Sequence, residues 1–311
     1  MSGRIIKLEE IVSEFEKDPR GYIDAAENEY KSRLKAISDR VLYSDERRDI
    51  LLISGPSSSG KSTTAELIRQ NLVAGGMDCV TLSTDDFFFD KDEMNAYEVG
   101  FDFESPTIVN ELLLLDKINQ LFVRGEAYLP RFDFVSGRKV YKSQKEKLSS
   151  RGALIIEGIH ALNKDVIAVG NEIDTVRVYV STASSIALDD EVISGRDLRL
   201  ARRIIRDSKF RGTPLEGTVD MWESVCAGED KHIAPHKDSA DYVIDTLMPY
   251  EPFMLRKRMI KLINAAFRKY AHDPDIEALT RLYERCPDAD SGMIPGDSLL
   301  REFTGGGKYK Y

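Results

Sequence analysis

The residues best suited to chemistry lie in one glycine-rich loop. Residues 55–63 read GPSSSGKST and match the pattern G-x-x-x-x-G-K-[ST], whose fixed positions are Gly55, Gly60, Lys61 and Ser62. Glycine permits the tight turn that directs main-chain N–H groups at phosphate oxygens, the lysine reaches the β- and γ-phosphates, and the serine hydroxyl binds Mg²⁺. The residues that we predict to bind ATP in this loop are Gly55, Ser57, Ser58, Ser59, Gly60, Lys61, Ser62 and Thr63.

Acidic residues follow two of the apolar runs and are candidates for the reacting groups. Asp85 follows VTLST, and its carboxylate could orient an attacking hydroxyl group toward the γ-phosphate and take its proton. Asp86 could serve instead, and a helix cap or a turn fits either aspartate equally well. Glu157 ends the apolar run ALII, where a buried carboxylate needs a cation or hydrogen bonds. We therefore predict that Glu157 and Ser62 hold Mg²⁺ and that the nearby His160 is structural.

A basic helix is predicted within residues 196–212, which read RDLRLARRIIRDSKFRG. Arg199, Arg202, Arg203 and Arg206 have i, i+3, i+4 and i+7 spacing, which places four guanidinium groups on one helical face. Seven cations and two aspartates give this segment a local charge of +5 in a chain of net charge −9. The contrast favours a lid that faces an anion, because arginine neutralises charge on transferring phosphate oxygens. Nucleic-acid binding is the weaker alternative.

The elements that must position these residues follow an α/β pattern. Five short runs are predicted as strands, and several are apolar throughout, which is typical of a parallel sheet buried on both faces. Helical runs over 61–73, 110–123 and 197–209 lie between them. We therefore predict an α/β fold with a P-loop NTPase-type parallel sheet flanked by helices. The predicted strands are 49–54, 80–84, 153–156, 175–180 and 242–247.

The remaining segments extend or interrupt this core. Near the N-terminus, Pro19 and Gly21 separate two helical patterns, which we expect to form a cap or a dimerisation element because they carry no chemical motif. The predicted regions are a helical N-terminal extension (1–48), a P-loop core (49–270) with a substrate-lobe insertion (86–150) and an arginine-rich lid region (196–235), and a C-terminal helix with a glycine-rich tail (271–311).

Composition narrows the class of protein. The chain has 311 residues, of which 42% are hydrophobic and 31% charged, as in globular proteins. No apolar run approaches the ~20 residues that cross a bilayer, and the first residues lack a signal core, so we expect a cytoplasmic protein without a membrane partner. The net charge of −9 argues against a nucleic-acid partner, and a homo-oligomer stays open. Cys79, Cys226 and Cys286 are expected to be reduced packing residues.

Several ordered motifs together resemble the uridine kinase and phosphoribulokinase family of P-loop kinases. The resemblance covers about Ile50 to about Leu255 and rests on GPSSSGKST, LSTDDFF, GFDFESP, PRFDF, IIEGIH and RLARRIIRD. It is closest to the uridine kinase-like catalytic regions of long bacterial proteins, which share an ending like LLREFTGG. The resemblance implies Mg²⁺-dependent transfer of the γ-phosphate of ATP to a hydroxyl group of a small molecule, commonly the 5′ hydroxyl of uridine or cytidine.

The resemblance also implies roles for individual residues. It makes Asp85 the base, with Asp102 and Arg199 as ligands of a ribose diol. Arg202 and Arg206 would belong to the ATP lid. The catalytic residues that it implies are Lys61, Asp85, Arg199 and Arg202, and the substrate-binding residues are Asp85, Asp102, Phe132 and Arg199.

Three positions depart from the uridine-cytidine kinases. Phe132 stands where they carry tyrosine, Gly137 where a histidine reads the pyrimidine edge, and Gly217 where a glutamine is associated with sugar contact. A site that hydrogen-bonds its substrate discriminates by ~10⁴ or more, so changed polar groups indicate a changed substrate. A kinase of a non-nucleoside sugar or polyol is therefore the alternative hypothesis.

A hypothesis from another class is a nucleotide-binding switch without transfer activity. The run Asn163-Lys164-Asp165 lacks the spacing of the guanine-reading motif N-K-x-D, which argues against a GTPase-type switch. The helical N-terminus and the tail have no explanation in a minimal kinase and favour the switch. Turnover that depends on an acceptor distinguishes the two classes.

Overall fold

The computed structural model describes residues 3–43, 50–96, 102–134, 136–167, 175–270 and 272–309. Outside these ranges lie the predicted region boundaries at 1, 48, 49, 271 and 311, and residues 100–101 of the GFDFESP motif. The strands are β1 (Ile5–Lys7), β2 (Ile50–Ser54), β3 (Cys79–Ser83), β4 (Glu126–Ala127), β5 (Pro130–Asp133), β6 (Arg138–Tyr141), β7 (Glu146–Lys147), β8 (Ala153–Glu157), β9 (Thr175–Ser181), β10 (Ser185–Leu188), β11 (Glu191–Ile193) and β12 (Tyr242–Asp245). The α-helices are α1 (Leu8–Lys17), α2 (Pro19–Leu42), α3 (Lys61–Ala74), α4 (Lys91–Ala96), α5 (Glu111–Arg124), α6 (Gly195–Arg206), α7 (Leu215–Asp220), α8 (Trp222–His232), α9 (Glu251–Tyr270), α10 (Pro274–Arg285) and α11 (Arg301–Thr304).

Five parallel strands form the central sheet in the order β12-β9-β2-β8-β3. Every residue of β2 and β8 is buried, as the apolar runs predict for strands covered on both faces. The register pairs Glu157 with Ile53 on one side and with Ser83 on the other, so the carboxyl ends of β2, β3 and β8 lie together. The predicted parallel sheet is confirmed, with strand ends that differ by one or two residues.

Helices cover both faces of this sheet. Leu51 and Ile53 of β2 belong to a core cluster with residues of α1, α2 and α3, whereas Ile50 and Leu52 belong to a second cluster with residues of α5. This alternation follows from strand geometry, because successive side chains point to opposite faces. The chain therefore has the predicted α/β architecture of a parallel sheet flanked by helices.

The inserted lobe between β3 and β8 contains two small antiparallel pairs, β4 with β7 and β5 with β6. The amino-acid composition predicts an insertion here, but it does not predict the strands within the insertion. The lobe packs on the sheet through the second core cluster, to which Phe88, Leu129, Phe132 and Leu148 contribute. The Phe132 N–H of β5 donates to Asp86 at 3.0 Å, so the lobe reaches the carboxyl end of β3, at the edge of the sheet where ligands bind in open α/β folds.

The N-terminal segment contains the two predicted helices and one strand that was not predicted. Ile5, which periodicity assigns to the first helix, lies in β1, and β1 pairs in parallel with β10 to form a second sheet with β11. Gly21 does not separate the helices, since α2 begins at Pro19 and the Asp18 carboxylate accepts a hydrogen bond from the Gly21 N–H at 3.0 Å. A pairing partner far along the chain, which local periodicity cannot reveal, explains β1.

The C-terminal segment packs onto the core instead of extending from it. Helix α10 agrees with the helical pattern near residues 276–284, and the chain then runs through α11 into the glycine-rich tail. Leu299, Leu300 and Phe303 are completely buried. Among the described helices, none combines the length and the apolar character that crossing a bilayer requires.

Candidate active site

The phosphate loop connects β2 to α3 and is shaped by two glycines. A Cβ atom at Gly55 would lie 1.9 Å from the carbonyl oxygen of Val180, so only glycine lets the loop pass β9 this closely. Gly60 has φ +89° immediately before α3, and Ser58 also has a positive φ of 60°. These left-handed conformations turn the loop back over the N-terminus of α3, where N–H groups without helical partners attract anions.

Several polar groups of the loop are buried or contact its own main chain. The Lys61 ammonium donates to the carbonyl oxygen of Pro56 at 3.0 Å. Burial lowers the Lys61 pKa, while the nearby carboxylates of Glu157 and Asp85 raise it. Among the described residues, the buried hydroxyl groups of Ser58 and Ser59 have no hydrogen-bond partner. Buried donors of this kind are normally satisfied, so the loop is suited to phosphate oxygens.

Two carboxylates face this loop from the ends of neighbouring strands. Asp85 lies in the 3₁₀ turn Thr84–Phe87 after β3, and Glu157 is the last residue of β8. A Cβ atom at Gly158 would lie 1.8 Å from the Thr84 hydroxyl, so this glycine allows the turn to approach β8. Burial raises the pKa of Asp85, and it raises that of Glu157 to about 7, with a further increase from Asp85. Lys61 opposes both increases, so the three groups share one electrostatic environment.

These residues suit a magnesium ion. Glu157 is only 8% exposed, Asp85 lies nearby, and the Asp85 Oδ1 atom has no hydrogen-bond partner within the described structure. Such a pair of buried carboxylates is stabilised by a cation. The hydroxyl of Ser62, in the first turn of α3, and the Glu157 carboxylate are hard oxygen ligands of the kind that Mg²⁺ prefers. Ser62 and Glu157 therefore fit the predicted metal role.

Asp86 and His160 lie in environments that differ from that of Asp85. The Asp86 Oδ1 atom accepts the Phe132 N–H at 3.0 Å and so ties the turn after β3 to β5. Burial raises the Asp86 pKa to about 6. His160 is buried, and burial lowers its pKa to about 4, so its ring is neutral at pH 7. Of the two aspartates, Asp85 is the one whose charge acts on Lys61.

Helix α6 begins with a capping box and brings two arginines to the main chain of the phosphate loop. The cap consists of reciprocal hydrogen bonds between Ser194 and Asp197. Arg199 donates to the carbonyl oxygen of Ser57 at 3.0 Å and to Glu229 at 2.5 Å. Arg202 is completely buried and donates twice to Glu251, at 2.6 Å each. It also donates to the Thr246 carbonyl oxygen at 2.7 Å, a setting that favours support of the loop over contact with a reacting group.

Three further arginines surround the buried Asp207 at the end of α6, at 3.5 Å for Arg203, 2.9 Å for Arg206 and 3.6 Å for Arg211. Arg203 donates to the Ser57 hydroxyl at 3.0 Å, and Arg206 donates to Asp207 at 2.9 Å. Burial and the neighbouring Arg206 lower the pKa of Arg203, and they lower that of Arg211 to about 10. Arg206 and Arg211 also act on the Asp85 carboxylate. Three guanidinium groups around the single carboxylate of Asp207 keep a net positive charge, which an anion such as phosphate would stabilise further.

The sequence places Arg203 on the cationic face of the predicted lid, but it gives an individual role to Arg206 and to neither Arg203 nor Arg211. The helical spacing included Arg203, so the i+4 position after Arg199 was a usable signal. Arg211 precedes Gly212, which has φ +66° and ends the π-helical segment Asp207–Arg211. An arginine followed by glycine at the end of a basic helix was the corresponding signal for Arg211.

The structure does not bring Asp102 into this group of residues. Asp102 is exposed, and its carboxylate accepts the Glu104 N–H at 3.0 Å. Glu104 is instead 8% exposed and lies 3.9 Å from the Arg203 guanidinium, with its Oε2 atom unpartnered among the described residues. Burial raises the Glu104 pKa. A Cβ atom at Gly228 would lie 2.4 Å from that of Glu104, so the glycine of α8 provides the space.

Aromatic rings form a wall beside these residues. Phe132 is buried, with its ring centroid 5.6 Å from that of Phe88 and 5.2 Å from that of Phe134. The rings of Phe103 and Phe134 are about half exposed and lie 6.1 Å apart, and Arg211 lies over Phe134 at 5.7 Å. The wall offers stacking surface at the end of the site that carries Asp85 and Glu104.

The other two departures are glycines in a turn and in a short helix. Gly137 has φ +67° in the turn between β5 and β6, and a Cβ atom there would meet only the side chain of Lys91. Gly217 lies in α7, where a Cβ atom would meet Thr213. Neither glycine has a side chain that could read a substrate.

Comparison with known proteins relates this arrangement to a family. A model of the phosphoribulokinase / uridine kinase family matches residues 50–250, which contain the phosphate loop, both carboxylates and the arginines of α6. A uridine kinase from Staphylococcus aureus (strain JH9) is 27% identical over 197 residues, which are 63% of this chain and 86% of that protein.

Two solved structures are also similar to the chain. A candidate fructose transport system kinase from Silicibacter sp. TM1040 aligns with a TM-score of 0.49 and 19% identity, covering 68% of this chain and 98% of the other. A possible uridine kinase from Bacillus stearothermophilus aligns with a TM-score of 0.45 and 19% identity, covering 70% and 100%.

Proposed function

Because the chain belongs to the phosphoribulokinase / uridine kinase family and is an ATP-dependent kinase, we propose that its acceptor is the 5′ hydroxyl of a nucleoside such as uridine or cytidine. The observation that carries the proposal is the position of Asp85. Its carboxylate has an unpartnered oxygen among the described residues and lies in the field of Lys61, Arg206 and Arg211. An acceptor hydroxyl beside Asp85 would meet the γ-phosphate there.

In this proposal the donor nucleotide lies along the phosphate loop. Main-chain N–H groups and the hydroxyls of Ser58 and Ser59 bind phosphate oxygens, and Lys61 binds the terminal phosphates. Ser62 and Glu157 hold Mg²⁺, which when bound neutralises charge on the phosphate oxygens. Arg199 and Arg202 keep the loop in shape through the carbonyl oxygens of Ser57 and Ser58, at 3.0 and 3.4 Å.

Asp85 acts as the base. Its carboxylate accepts a hydrogen bond from the acceptor hydroxyl and takes the proton as the new O–P bond forms and the bond from the γ-phosphorus to the leaving ADP oxygen breaks. Because this transition state is loose, position matters more than base strength. Arg203, Arg206 and Arg211 stabilise the charge that spreads over the transferring oxygens.

Glu104 holds the sugar of the acceptor in our proposal, in place of Asp102. A carboxylate beside a guanidinium can accept hydrogen bonds from two neighbouring hydroxyl groups while Arg203 donates to them. The half-exposed rings of Phe103 and Phe134 provide an apolar face on which a base or a sugar can stack. This pairing of polar and aromatic contacts fits a ribonucleoside.

An acceptor screen tests the proposed function. Purified protein with MgATP should release ADP when uridine or cytidine is present and not when the acceptor is omitted. In the matched Asp85→Asn variant, acceptor-dependent release should be slower by about 10²- to 10⁴-fold. Equal ADP release with and without every nucleoside and sugar would contradict the proposal, and ATP binding with no turnover would favour a nucleotide-binding switch.

A sugar or polyol kinase is the second candidate. The observation that favours it is the lack of polar readout at Phe132, which is buried among other rings, and at Gly137 in the β5–β6 turn. Neither position can hydrogen-bond a pyrimidine. Ribose-like sugars and polyols in the same screen distinguish the candidates, because a higher kcat/KM for them than for uridine would identify the second.

A further inference from the structure

A C-terminal segment lies directly against the phosphate loop. We call residues 298–306 the C-terminal strap. Leu299 of the strap packs on the loop, since a Cβ atom at Gly60 would lie 3.4 Å from the Leu299 Cδ1 atom. The ring of Phe303 is completely buried and lies 5.2 Å from the guanidinium of Arg202 in α6. The strap therefore touches the loop that we propose to hold the donor nucleotide and the helix that supports this loop.

The ends of the strap are also anchored. The Ser298 hydroxyl lies 3.3 Å from the hydroxyl of Tyr250, and Tyr250 donates to Glu27 of α2 at 2.5 Å. At the other end, the ammonium of Lys209 donates to the carbonyl oxygen of Thr304. Lys209 belongs to the π-helical segment that follows α6, so the strap connects the N-terminal helices to the lid region.

Glu302 places a negative charge beside the first turn of α3, the helix that follows the phosphate loop. The Thr63 hydroxyl, in the first turn of α3, donates to the Glu302 carboxylate at 2.9 Å. Glu302 also acts on groups deeper in the site, because its charge raises the pKa of both Lys61 and Glu157. A carboxylate is favourable at a helix N-terminus only while another anion does not compete for the same partial positive charge.

Glu302 faces one end of the proposed ATP site. Among the carboxylates that raise the Lys61 pKa, Glu157 and Asp85 have a larger effect than Glu302, which marks their side for the γ-phosphate. In loops of this pattern the main-chain N–H groups cradle the α- and β-phosphates as the chain enters the helix. Thr63 and the strap thus lie toward the α-phosphate and the nucleoside of ATP.

Resting on the proposed function, we propose that the strap is an autoinhibitory contact in which Glu302 engages the Thr63 hydroxyl and opposes the binding of the nucleoside triphosphate. The donor releases this contact when it binds. Glu302 then acts as a gating residue that sets the affinity for ATP, and the lid receives the signal through Thr304 and Lys209.

Calorimetry with MgATP tests the proposal on the full chain. Glu302→Gln keeps a hydrogen-bond acceptor for Thr63 and removes only the charge, whereas Glu302→Ala removes both. We expect both variants to bind MgATP about 3- to 10-fold more tightly than the unaltered protein at low salt, and the difference to shrink at high salt because the repulsion is screened. Glu284→Gln, at an exposed residue of α10, is the matched control and should bind like the unaltered protein.

Two outcomes would contradict the autoinhibitory role of the strap and leave the proposed function intact. One is unchanged or weaker MgATP binding by a Glu302→Gln variant that unfolds at the same temperature as the unaltered protein. The other is slower amide hydrogen exchange in residues 298–306 when MgATP is added, since release predicts faster exchange. An unaltered protein that binds no MgATP at all would instead contradict the proposed nucleotide site.

Discussion

At the scale of single residues, the site depends on charges held where water cannot fully solvate them. Lys61, Asp85 and Glu157 are each shifted by burial and by one another, and such mutual shifts are typical of reacting groups. Glu104 and Arg203 form a second pair beside them. The two pairings divide the site into a part for phosphate chemistry and a part for holding the acceptor.

Asp85→Asn tests the proposed base. We expect kcat to fall by about 10² to 10⁴ because the amide cannot take the proton of the acceptor hydroxyl. The Kd for MgATP should change by less than about threefold, since the loop is untouched. Steady-state kinetics and calorimetry measure the two quantities. A variant that keeps its kcat would show that Asp85 is not the base.

Glu104→Gln tests the proposed acceptor contact. Loss of the carboxylate should raise KM for the acceptor by about 10- to 150-fold and leave KM for ATP unchanged, because a charged hydrogen bond to a sugar hydroxyl contributes roughly 1.5 to 3 kcal/mol. Asp102→Asn is the matched control, and its exposed side chain should have little effect on either KM. The reverse pattern would restore Asp102 as the sugar ligand.

The different fates of these residues show how far the sequence determines the site. Lys61, Asp85 and Glu157 could be predicted because each follows from a local signal, a loop pattern or the end of an apolar strand. Asp102 and Glu104 are two acidic residues in one loop, and no periodicity decides which side chain turns inward. Packing against Gly228, distant in the sequence, makes that choice.

At the scale of elements, α6 combines support and chemistry on one helix. The spacing of its arginines predicts one cationic face, but their partners come from other elements. Arg202 meets Glu251 at the start of α9, and Arg199 meets Glu229 of α8. Arg203 instead donates to the Ser57 hydroxyl of the loop, and Arg206 donates to Asp207. Sequence periodicity could not make this distinction, because it contains no information about the neighbouring helices.

Paired substitutions in α6 separate the two roles. Arg202→Ala leaves the buried Glu251 unpaired and should lower the free energy of unfolding by about 3 to 5 kcal/mol. Arg206→Ala should cost less, about 1 to 2 kcal/mol, because Arg203 and Arg211 still pair with the buried Asp207, and it should lower kcat by roughly 10²-fold or more. Urea unfolding and kcat are the measurements. Equal losses of stability in both variants would contradict the division of roles.

The raised pKa of Asp86, in the turn after β3, predicts that the stability of the protein depends on pH. Burial raises the Asp86 pKa from 3.8 to about 6, so the contribution of this group to folding is fully present below pH 3.8 and is lost as the pH rises through 6. Asp86→Asn keeps the acceptor for the Phe132 N–H without the charge. Its stability relative to the unaltered protein should therefore increase by about 1 to 2 kcal/mol between pH 4 and pH 7.5.

Urea unfolding at the two pH values checks this expectation. Asp190→Asn, at an exposed residue between β10 and β11, is the control and should show no such increase. A relative stability of Asp86→Asn that falls with rising pH would mean that the Asp86 charge is favourable in the folded protein.

At the scale of the whole molecule, both ends of the described chain return to the core. β1 pairs with β10, α1 and α2 cover one face of the central sheet, and the strap crosses the phosphate loop. The parallel sheet could be predicted from its buried apolar strands. The pairing of β1 and the docking of the strap could not, since each depends on contacts between segments far apart in the sequence.

The transfer of phosphate itself is the central claim, and ³¹P NMR observes it directly. In a reaction of the protein with MgATP and uridine, the γ-phosphate signal should decrease while a signal for a phosphate monoester on the nucleoside appears. Cytidine and a panel of sugars and polyols extend the same measurement to the other acceptors. If the γ-phosphate signal persists with every acceptor, or is replaced only by inorganic phosphate, the assignment of this site to phosphoryl transfer onto a small-molecule hydroxyl is contradicted.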